Sequence, residues 1–73
     1  MATLQQRFGA LVRKRRNAAA LSQEALADKA GLHPTYISML ERGIRMPSLG
    51  VVERLARALG STMASLMGEL EGT

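Results

Sequence analysis

The chain has 73 residues, of which 47% are hydrophobic, and it contains no cysteine and a single histidine. This length allows one domain at most. Without cysteine, neither a disulfide nor a cysteine-ligated zinc ion can reinforce the fold. Only Phe8 and Tyr36 are aromatic, which argues against a stacking platform for single-stranded nucleic acid. We therefore expect a small domain held together by aliphatic side chains.

The net charge of +4 is spread unevenly along the chain. Residues 1–45 hold eight lysines and arginines against three acids, whereas residues 46–73 hold two basic residues against three acids. An excess of basic residues in one part of a chain favours a polyanionic partner such as nucleic acid. A basic coat on a soluble protein would give the same count, so charge alone does not decide between the two.

No apolar run approaches the roughly 18 residues that a transmembrane helix needs, and the N-terminus lacks the basic-then-apolar order of a signal peptide. The one histidine, His33, has neither a cysteine nor a neighbouring carboxylate pair with which to bind a metal ion. The six acids form no evident acid–base pair, and no glycine-rich phosphate loop is present. We expect a cytoplasmic protein that has no membrane contact, metal, cofactor or enzymatic activity.

Hydrophobic periodicity and capping residues predict five helices. Thr3, Ser22, Ser48 and Thr62 stand at N-cap positions, and His33 takes this position before the third helix, where it is a weaker choice. Short connections indicate a compact all-α bundle. The apolar stripe of the first helix is formed by Leu4, Phe8, Leu11 and Val12. The predicted helices cover approximately residues 3–19, 23–30, 34–42, 49–59 and 63–70.

The second and third predicted helices meet at a short turn that contains Gly31, which is the layout of a helix-turn-helix. Gly31 can adopt the left-handed conformation that ends a helix, and Ala27 is small where the two helices cross. The shared interior is predicted to comprise Leu26, Ala30, Leu32, Ile37 and Leu40. The outer face of the third helix, which is available to base edges in a major groove, consists of Pro34, Thr35, Tyr36, Ser38 and Met39.

Four motifs stand in the order and at the spacing of a known family: LSQEALADKAGL, TYISMLERG, MPSL and LARALG. On these motifs, from about Leu4 to Met67, the chain resembles the phage-repressor/Cro-like (XRE-type) helix-turn-helix regulators, and its length suits a restriction–modification controller protein. The resemblance implies a lambda-repressor-like domain and a transcriptional regulator that binds double-stranded DNA as a homodimer on a palindromic operator. The same module also begins longer regulators, and the sequence does not separate the two cases.

The resemblance also implies roles for individual residues. Thr35, Tyr36, Ser38 and Met39 match positions that read bases, and Pro34 stands at the head of the same face. Two alternatives stay open: Tyr36 packs partly on the protein, and Met39 turns back onto it. Gln23 is either a phosphate contact or an ordinary polar residue of a first turn. The resemblance implies contacts with the DNA backbone for Gln23, Arg13, Arg42, Gly43 and Arg45.

Arg16 and Glu41 match a pair that the family joins by a salt bridge between the first and third helices, which would take Arg16 out of the DNA contacts. Arg15 occupies a position that is usually apolar, so it must snorkel or point outward. Ile44 stands where a polar residue is common. Because the outer face of the third helix lacks Arg, Lys, Gln and Asn, we expect the flanking arginines to supply most of the affinity.

The last predicted helix carries an apolar face formed by Met63, Leu66, Met67 and Leu70. The resemblance implies that this helix forms a two-fold dimer contact, with the recognition helices about 34 Å apart on the DNA. Met67 and Leu70 come late in the chain, so we expect them to remain exposed, whereas Met63 and Leu66 equally suit a face that closes the core. The alternative function is a protein-interaction module, such as an antitoxin or adaptor, that uses this face.

Overall fold

The computed structural model describes residues 1–72, which fold into five α-helices joined by short turns. The described residues contain no strand, and the predicted all-α class is confirmed. Each helix begins and ends within one residue of its predicted bounds. In chain order the helices are α1 (Leu4–Ala18), α2 (Gln23–Ala30), α3 (Pro34–Glu41), α4 (Leu49–Ala58) and α5 (Met63–Glu71).

Side-chain caps fix where the helices begin. In four of them a Ser or Thr hydroxyl accepts a hydrogen bond from the backbone N–H three residues further on, at 3.0 to 3.2 Å. These hydroxyls satisfy N–H groups that have no partner within the helix. Helix α3 differs, because the ring Nδ1 of His33 accepts from the N–H of Thr35 at 3.2 Å. His33 is a weaker cap than Ser or Thr, but it still satisfies one backbone N–H at the start of α3, that of Thr35.

Left-handed residues end the helices that lead into the sharpest turns. Gly31 has φ +66°, and the N–H of Leu32 then reaches back to the carbonyl of Ala27 at 2.8 Å. This closure is the one that a glycine favours at the end of a helix. The same geometry follows α1, where Ala20 has φ +57° and the N–H of Leu21 bonds back into the helix. Ala20 carries a Cβ in a conformation that disfavours one.

All five helices contribute to one core. Helix α1 packs against α3 and α5, α2 packs against α3 and α4, and α4 packs against α5. Small side chains at Ala27 and Ala56 are also fully enclosed, which lets the neighbouring helices approach closely. Among the described residues, those that form the core cluster are all hydrophobic. The largest fully buried side chains are Leu26, Ile37, Leu40, Leu55, Leu66 and Val12.

Two expectations about apolar residues are wrong. Leu70 is buried, with 7% of its surface exposed, because α5 packs against α1 and α4 and its late residues still reach the core. Leu66 is fully buried, and Met63 and Met67 pack against the same core. The dimer contact predicted for α5 stays a prediction, and Met63 and Met67 are its partly exposed residues. Conversely Leu4, assigned to the apolar stripe of α1, is 46% exposed because it is the first residue of the helix.

Candidate nucleic-acid interface

The predicted reading face lies on the outer side of α3. Ile37 and Leu40 are fully buried, which fixes the other side of the helix against the core. Of the five residues predicted to reach bases, Thr35 is exposed, and the other four (Pro34, Tyr36, Ser38 and Met39) are partly exposed. Tyr36 also packs against the edge of the core. The face is short, weakly polar and uncharged.

A cleft of about 550 Å³ separates the first turn of α2 from the first turns of α3. The first N–H groups of an α-helix point out of its end and attract anions such as phosphate. The start of α2 opens onto this cleft beside the reading face of α3. Glu24 is the one acidic residue that lines the cleft, and the sequence analysis assigned it no role. The cleft is lined by Arg16, Ser22, Gln23, Glu24, Pro34, Thr35 and Ser38.

A buried bridge of three side chains (Arg16, Gln23 and Glu41) joins α1, α2 and α3 behind this cleft. Arg16 holds the Glu41 carboxylate through two bonds, Nε to Oε2 at 2.7 Å and Nη2 to Oε1 at 3.1 Å. Gln23 donates from Nε2 to Glu41 Oε1 at 3.0 Å. The remaining guanidinium nitrogen, Nη1, donates to the carbonyl of Leu21 at 2.8 Å. The structure thus contains the Arg16–Glu41 pair that the resemblance implies, and Gln23 completes it.

The two charged side chains of this bridge are largely shielded from water. The side chain of Arg16 is 12% exposed and that of Glu41 is 3% exposed. The hydrogen bond to Glu41 raises the pKa of Arg16 above its ordinary value, although burial acts in the opposite direction. Two parallel N–H···O bonds also fix the plane of the carboxylate. Because Glu41 is the last residue of α3, the bridge sets the angle of α3 relative to α1 and α2.

The side-chain amide of Gln23 can donate two hydrogen bonds. One amide hydrogen is used on Glu41, and a primary amide has a second one. That second hydrogen and the N–H groups at the start of α2 are donors for a phosphate oxygen. The predicted phosphate contact of Gln23 is therefore compatible with its place in the buried bridge.

The basic residues of α1 differ in their ion-pair partners: Arg16 pairs with Glu41, whereas Lys14 and Arg15 pair with Glu69. A surface bridge, formed by Lys14, Arg15 and Glu69, joins α1 to α5. Lys14 Nζ lies 3.0 Å from Glu69 Oε2, and Arg15 Nε lies 2.7 Å from Glu69 Oε1. Arg15 also reaches the hydroxyls of Ser61 and Ser65, both at 3.4 Å. These bonds, first that from Lys14 and then that from Arg15, hold the pKa of Glu69 below its ordinary value.

The predicted backbone-contacting arginines have no such partners. Within residues 1–72, no ion pair involves Arg13, Arg42 or Arg45, and all three are exposed. Arg42 donates from Nε to the carbonyl of Ser38 at 3.4 Å, which holds its side chain along the end of α3. Gly43, with φ +73°, follows it and lies against Gln6 of α1. Arg42 and Arg45 thus follow the reading face in sequence, Arg13 lies on α1, and all three leave their charge available to a ligand.

Gly9 is a structural residue that the sequence reading missed. It is buried where α1 crosses the end of α3, and a Cβ there would overlap the carbonyl oxygen of Leu40 and lie 2.8 Å from that of Glu41. Only glycine permits this approach. A glycine in the middle of a predicted helix is the signal that would have identified it, because glycine weakens a helix unless packing requires it.

Two observations on the described residues concern metal ions and membranes. Residues 1–72 contain no group of three or more side chains that could hold a metal ion. No helix among them is long and apolar enough to cross a membrane.

Comparison with known proteins places the same residues in a family context. A family model described as helix-turn-helix matches residues 12–66. The control protein C.BamHI of Bacillus amyloliquefaciens is 48% identical over 54 residues, which are 73% of this chain and 67% of that protein. This chain spans only 36% of the length of two HTH-type transcriptional regulators of Mycobacterium tuberculosis that it matches at 39% identity. The Bacillus relative is described as a control protein, and the two mycobacterial relatives are described as transcriptional regulators.

Two solved structures are similar over most of the chain. The restriction–modification controller protein C.AhdI of Aeromonas hydrophila has a TM-score of 0.82 and 40% identity, over 85% of this chain and 94% of that one. The controller protein C.Esp1396I, solved as a tetramer in complex with its natural 35-base-pair operator, has a TM-score of 0.89 and 26% identity, over 99% and 95% of the two chains.

Proposed function

The chain belongs to the helix-turn-helix family, as its motifs predicted, and we propose on that basis that it is a transcriptional regulator that binds double-stranded DNA. Helix α3 enters the major groove, and the start of α2 lies over a phosphate. Thr35, Tyr36, Ser38 and Met39 meet base edges, with Pro34 at the head of this face.

The observation that carries this proposal is the arrangement of α2 and α3 around the buried bridge. A recognition helix must be held at a fixed angle to read bases, and Arg16, Gln23 and Glu41 connect three helices at the end of α3. The cleft beside α3 has helix N–H donors at one wall. A phosphate in this cleft would be bound by those N–H groups and by the free amide hydrogen of Gln23.

Affinity comes mainly from the unpaired cations. Arg13, Arg42 and Arg45 contact phosphates, as does the backbone N–H of Gly43, and such contacts position the protein without reading sequence. The uncharged face of α3 supplies discrimination through hydroxyl and methyl contacts, supplemented by the shape of the DNA. A homodimer places two copies of α3 on one palindromic operator. The protein acts by binding in the cytoplasm, at the nucleoid, without catalysis or a cofactor.

The salt dependence of binding to a duplex tests this proposal. The logarithm of the binding constant falls with the logarithm of salt concentration by about 0.9 for each phosphate neutralised, so we expect a steep slope for the wild type. Arg45→Ala removes one unpaired cation from the loop after α3 and should reduce the slope by about one.

Arg57→Ala is the matched control, because it removes the same charge from α4, where Arg57 is exposed and paired with Glu53. Its slope should equal that of the wild type. A flat salt response of the wild type would contradict DNA binding, and equal losses in the two variants would contradict the assigned interface.

A further inference from the structure

The first turn of α3 depends on a single ring nitrogen. Pro34, the first residue of the helix, has no N–H to donate. The N–H groups of Tyr36 and Ile37 both donate to the carbonyl of His33, at 3.0 and 3.2 Å. The N–H of Thr35 donates to the imidazole Nδ1 of His33 at 3.2 Å, and no other acceptor in the described part of the chain serves it. One side chain thus completes the turn with which the reading face begins.

The cap of α3 differs from the other four in its response to protons. The other helices are capped by Ser or Thr hydroxyls, which accept a hydrogen bond in acid as well as in alkali. An imidazole accepts only while it is neutral, because both ring nitrogens of the protonated form are donors. A protonated His33 would lose its bond to Thr35 and would place a positive charge at the positive end of the helix dipole. Both changes disfavour the first turn of α3.

The charged groups around the start of α3 leave this imidazole without an ion-pair partner. Arg16 of α1 and Glu24 of α2 line the adjoining cleft, and the charge of Arg16 is matched within the buried bridge. The guanidinium of Arg54, on α4, lies beside the turn at Gly31, two residues before His33. In the described residues no ion pair involves His33, and its side chain is exposed. The ring is therefore open to protons from solvent.

We propose that neutral His33 is a positioning residue for DNA binding, so that protonation of this one imidazole weakens the binding of α3 to DNA. It rests on the proposed function, because Thr35 and Tyr36 in the capped turn are assigned to base edges. A turn that has lost its cap must be ordered again before it can contact bases, and this cost lowers the binding constant. Since Thr35 is exposed, water can replace the lost acceptor, and the effect is a partial loss of affinity.

The composition of the chain makes such an effect easy to assign. His33 is the only histidine, and the chain contains no cysteine. Imidazole is the one side chain whose ordinary change of charge falls between pH 5 and 8. The terminal amine also titrates near this range, but replacing the histidine leaves that amine in place. A dependence on pH that disappears with the histidine therefore belongs to His33.

Duplex binding by the full 73-residue chain at pH 8 and at pH 5.5 tests this role, with the duplex that selection from a randomised pool enriches at pH 8. We expect wild type to bind about fivefold more weakly at pH 5.5, a loss of about 1 kcal/mol that is typical of a missing N-cap. His33→Ser supplies a hydroxyl cap and should bind at both pH values as wild type does at pH 8. His33→Ala has no cap and should bind at both as wild type does at pH 5.5.

Two controls separate the loss of this cap from other effects of acid. His33→Ser keeps every carboxylate, so its constant binding excludes acid unfolding as the cause. Ser22→Ala removes the hydroxyl cap of α2 and should retain the fivefold pH dependence of wild type. The slope of binding against salt should be equal at the two pH values, because loss of a cap leaves the number of neutralised phosphates unchanged.

Three results would overturn the role of His33. The first is equal binding by wild type at the two pH values. The second is a pH dependence that persists in His33→Ser and His33→Ala. The third is stronger binding at pH 5.5 with a salt slope steeper by about one, which would make the imidazolium a phosphate contact. If wild type bound no duplex even at pH 8, the proposed function would fail as well, whereas tight binding at pH 8 without pH dependence would overturn only the role of His33.

Discussion

Two ionic connections leave α1, and they differ in burial and in the helix they hold. The buried bridge ties α1 to α2 and to the end of α3, and its carboxylate is almost completely enclosed. The surface bridge ties α1 to α5, and its Lys14 side chain is 73% exposed. Both use neighbouring basic residues of the run Arg13–Arg16, so the sequence alone presents them as one basic patch.

The difference shows how burial divides one charge run into separate roles. A buried ion pair loses a great deal when one partner is removed, because the other charge is left without compensation. An exposed pair contributes little, because water and salt screen it. We therefore expect the geometry of α3 to depend on Arg16 far more than the position of α5 depends on Lys14 or Arg15.

Removing Arg16 should have the largest effect. Arg16→Ala leaves Glu41 buried with only Gln23 as a partner, and should lower the free energy of unfolding by about 3 kcal/mol. For a domain of this size the melting temperature should fall by roughly 10–20 °C. DNA binding should weaken in parallel. Thermal unfolding monitored by circular dichroism measures the effect, and Arg13→Ala, which breaks no ion pair, is the control.

An unchanged melting temperature with weakened DNA binding would instead make Arg16 a contact residue. The comparison between the two bridges would then fail, because both would be surface features.

The close approach of α1 and α3 should be the next most sensitive feature. Gly9→Ala places a Cβ against the carbonyl oxygens of Leu40 and Glu41, and we expect a loss of about 2 kcal/mol from this overpacking. Gly68→Ala is the matched control on α5, since a Cβ there meets nothing within 4 Å. It should stabilise the protein by about 0.5 to 1 kcal/mol through better helix propensity. Chemical denaturation measures both, and equal responses would show that α1 does not need glycine at this crossing.

In the turn after α1, a substitution by glycine should raise the stability of the protein. Ala20 is left-handed and precedes Leu21, whose carbonyl accepts a bond from Arg16. Ala20→Gly should relieve the Cβ strain and raise stability by about 0.5 to 1 kcal/mol. Ala19→Gly, at a residue with φ −86°, should lower it. Denaturation midpoints measure the pair, and a loss in Ala20→Gly would contradict the account of this turn.

The smallest effect is expected at the surface bridge, and it should depend on pH. Because the pKa of Glu69 is lowered from its ordinary value of 4.5, its contribution to stability is present above that value and is lost as the pH falls through the lowered one. Glu69→Gln should therefore be slightly less stable than wild type at pH 7 and equal to it in strong acid. Glu71→Gln, on the same helix, is the control for the loss of a carboxylate, because no ion pair among residues 1–72 involves Glu71. A difference for Glu69→Gln that grows in acid would contradict the prediction.

The fold was accessible from sequence because its signals are local. Caps at Thr3, Ser22, Ser48 and Thr62, together with apolar spacing, located each helix to within one residue. Whether an apolar residue is covered depends on packing between helices that are distant in sequence. Leu70 was therefore expected at the surface although it is buried, and Leu4 was placed on the apolar stripe of α1 although it is 46% exposed.

The same limit applies to the candidate site. The Arg16–Glu41 pair followed from the family resemblance, not from residue spacing. Nothing local distinguishes Arg15, which binds Glu69 across 54 residues, from Arg13, which has no ion-pair partner among residues 1–72. Gly9 was overlooked because its requirement comes from carbonyl groups of α3.

Selection of bound duplexes from a pool with about 30 randomised base pairs tests the central claim, that α3 reads DNA as part of a two-fold dimer. We predict enrichment of an inverted repeat whose half-sites are centred about 10 base pairs apart, or a multiple of that spacing. Enrichment of no sequence, or of a single unrepeated site, would contradict the account.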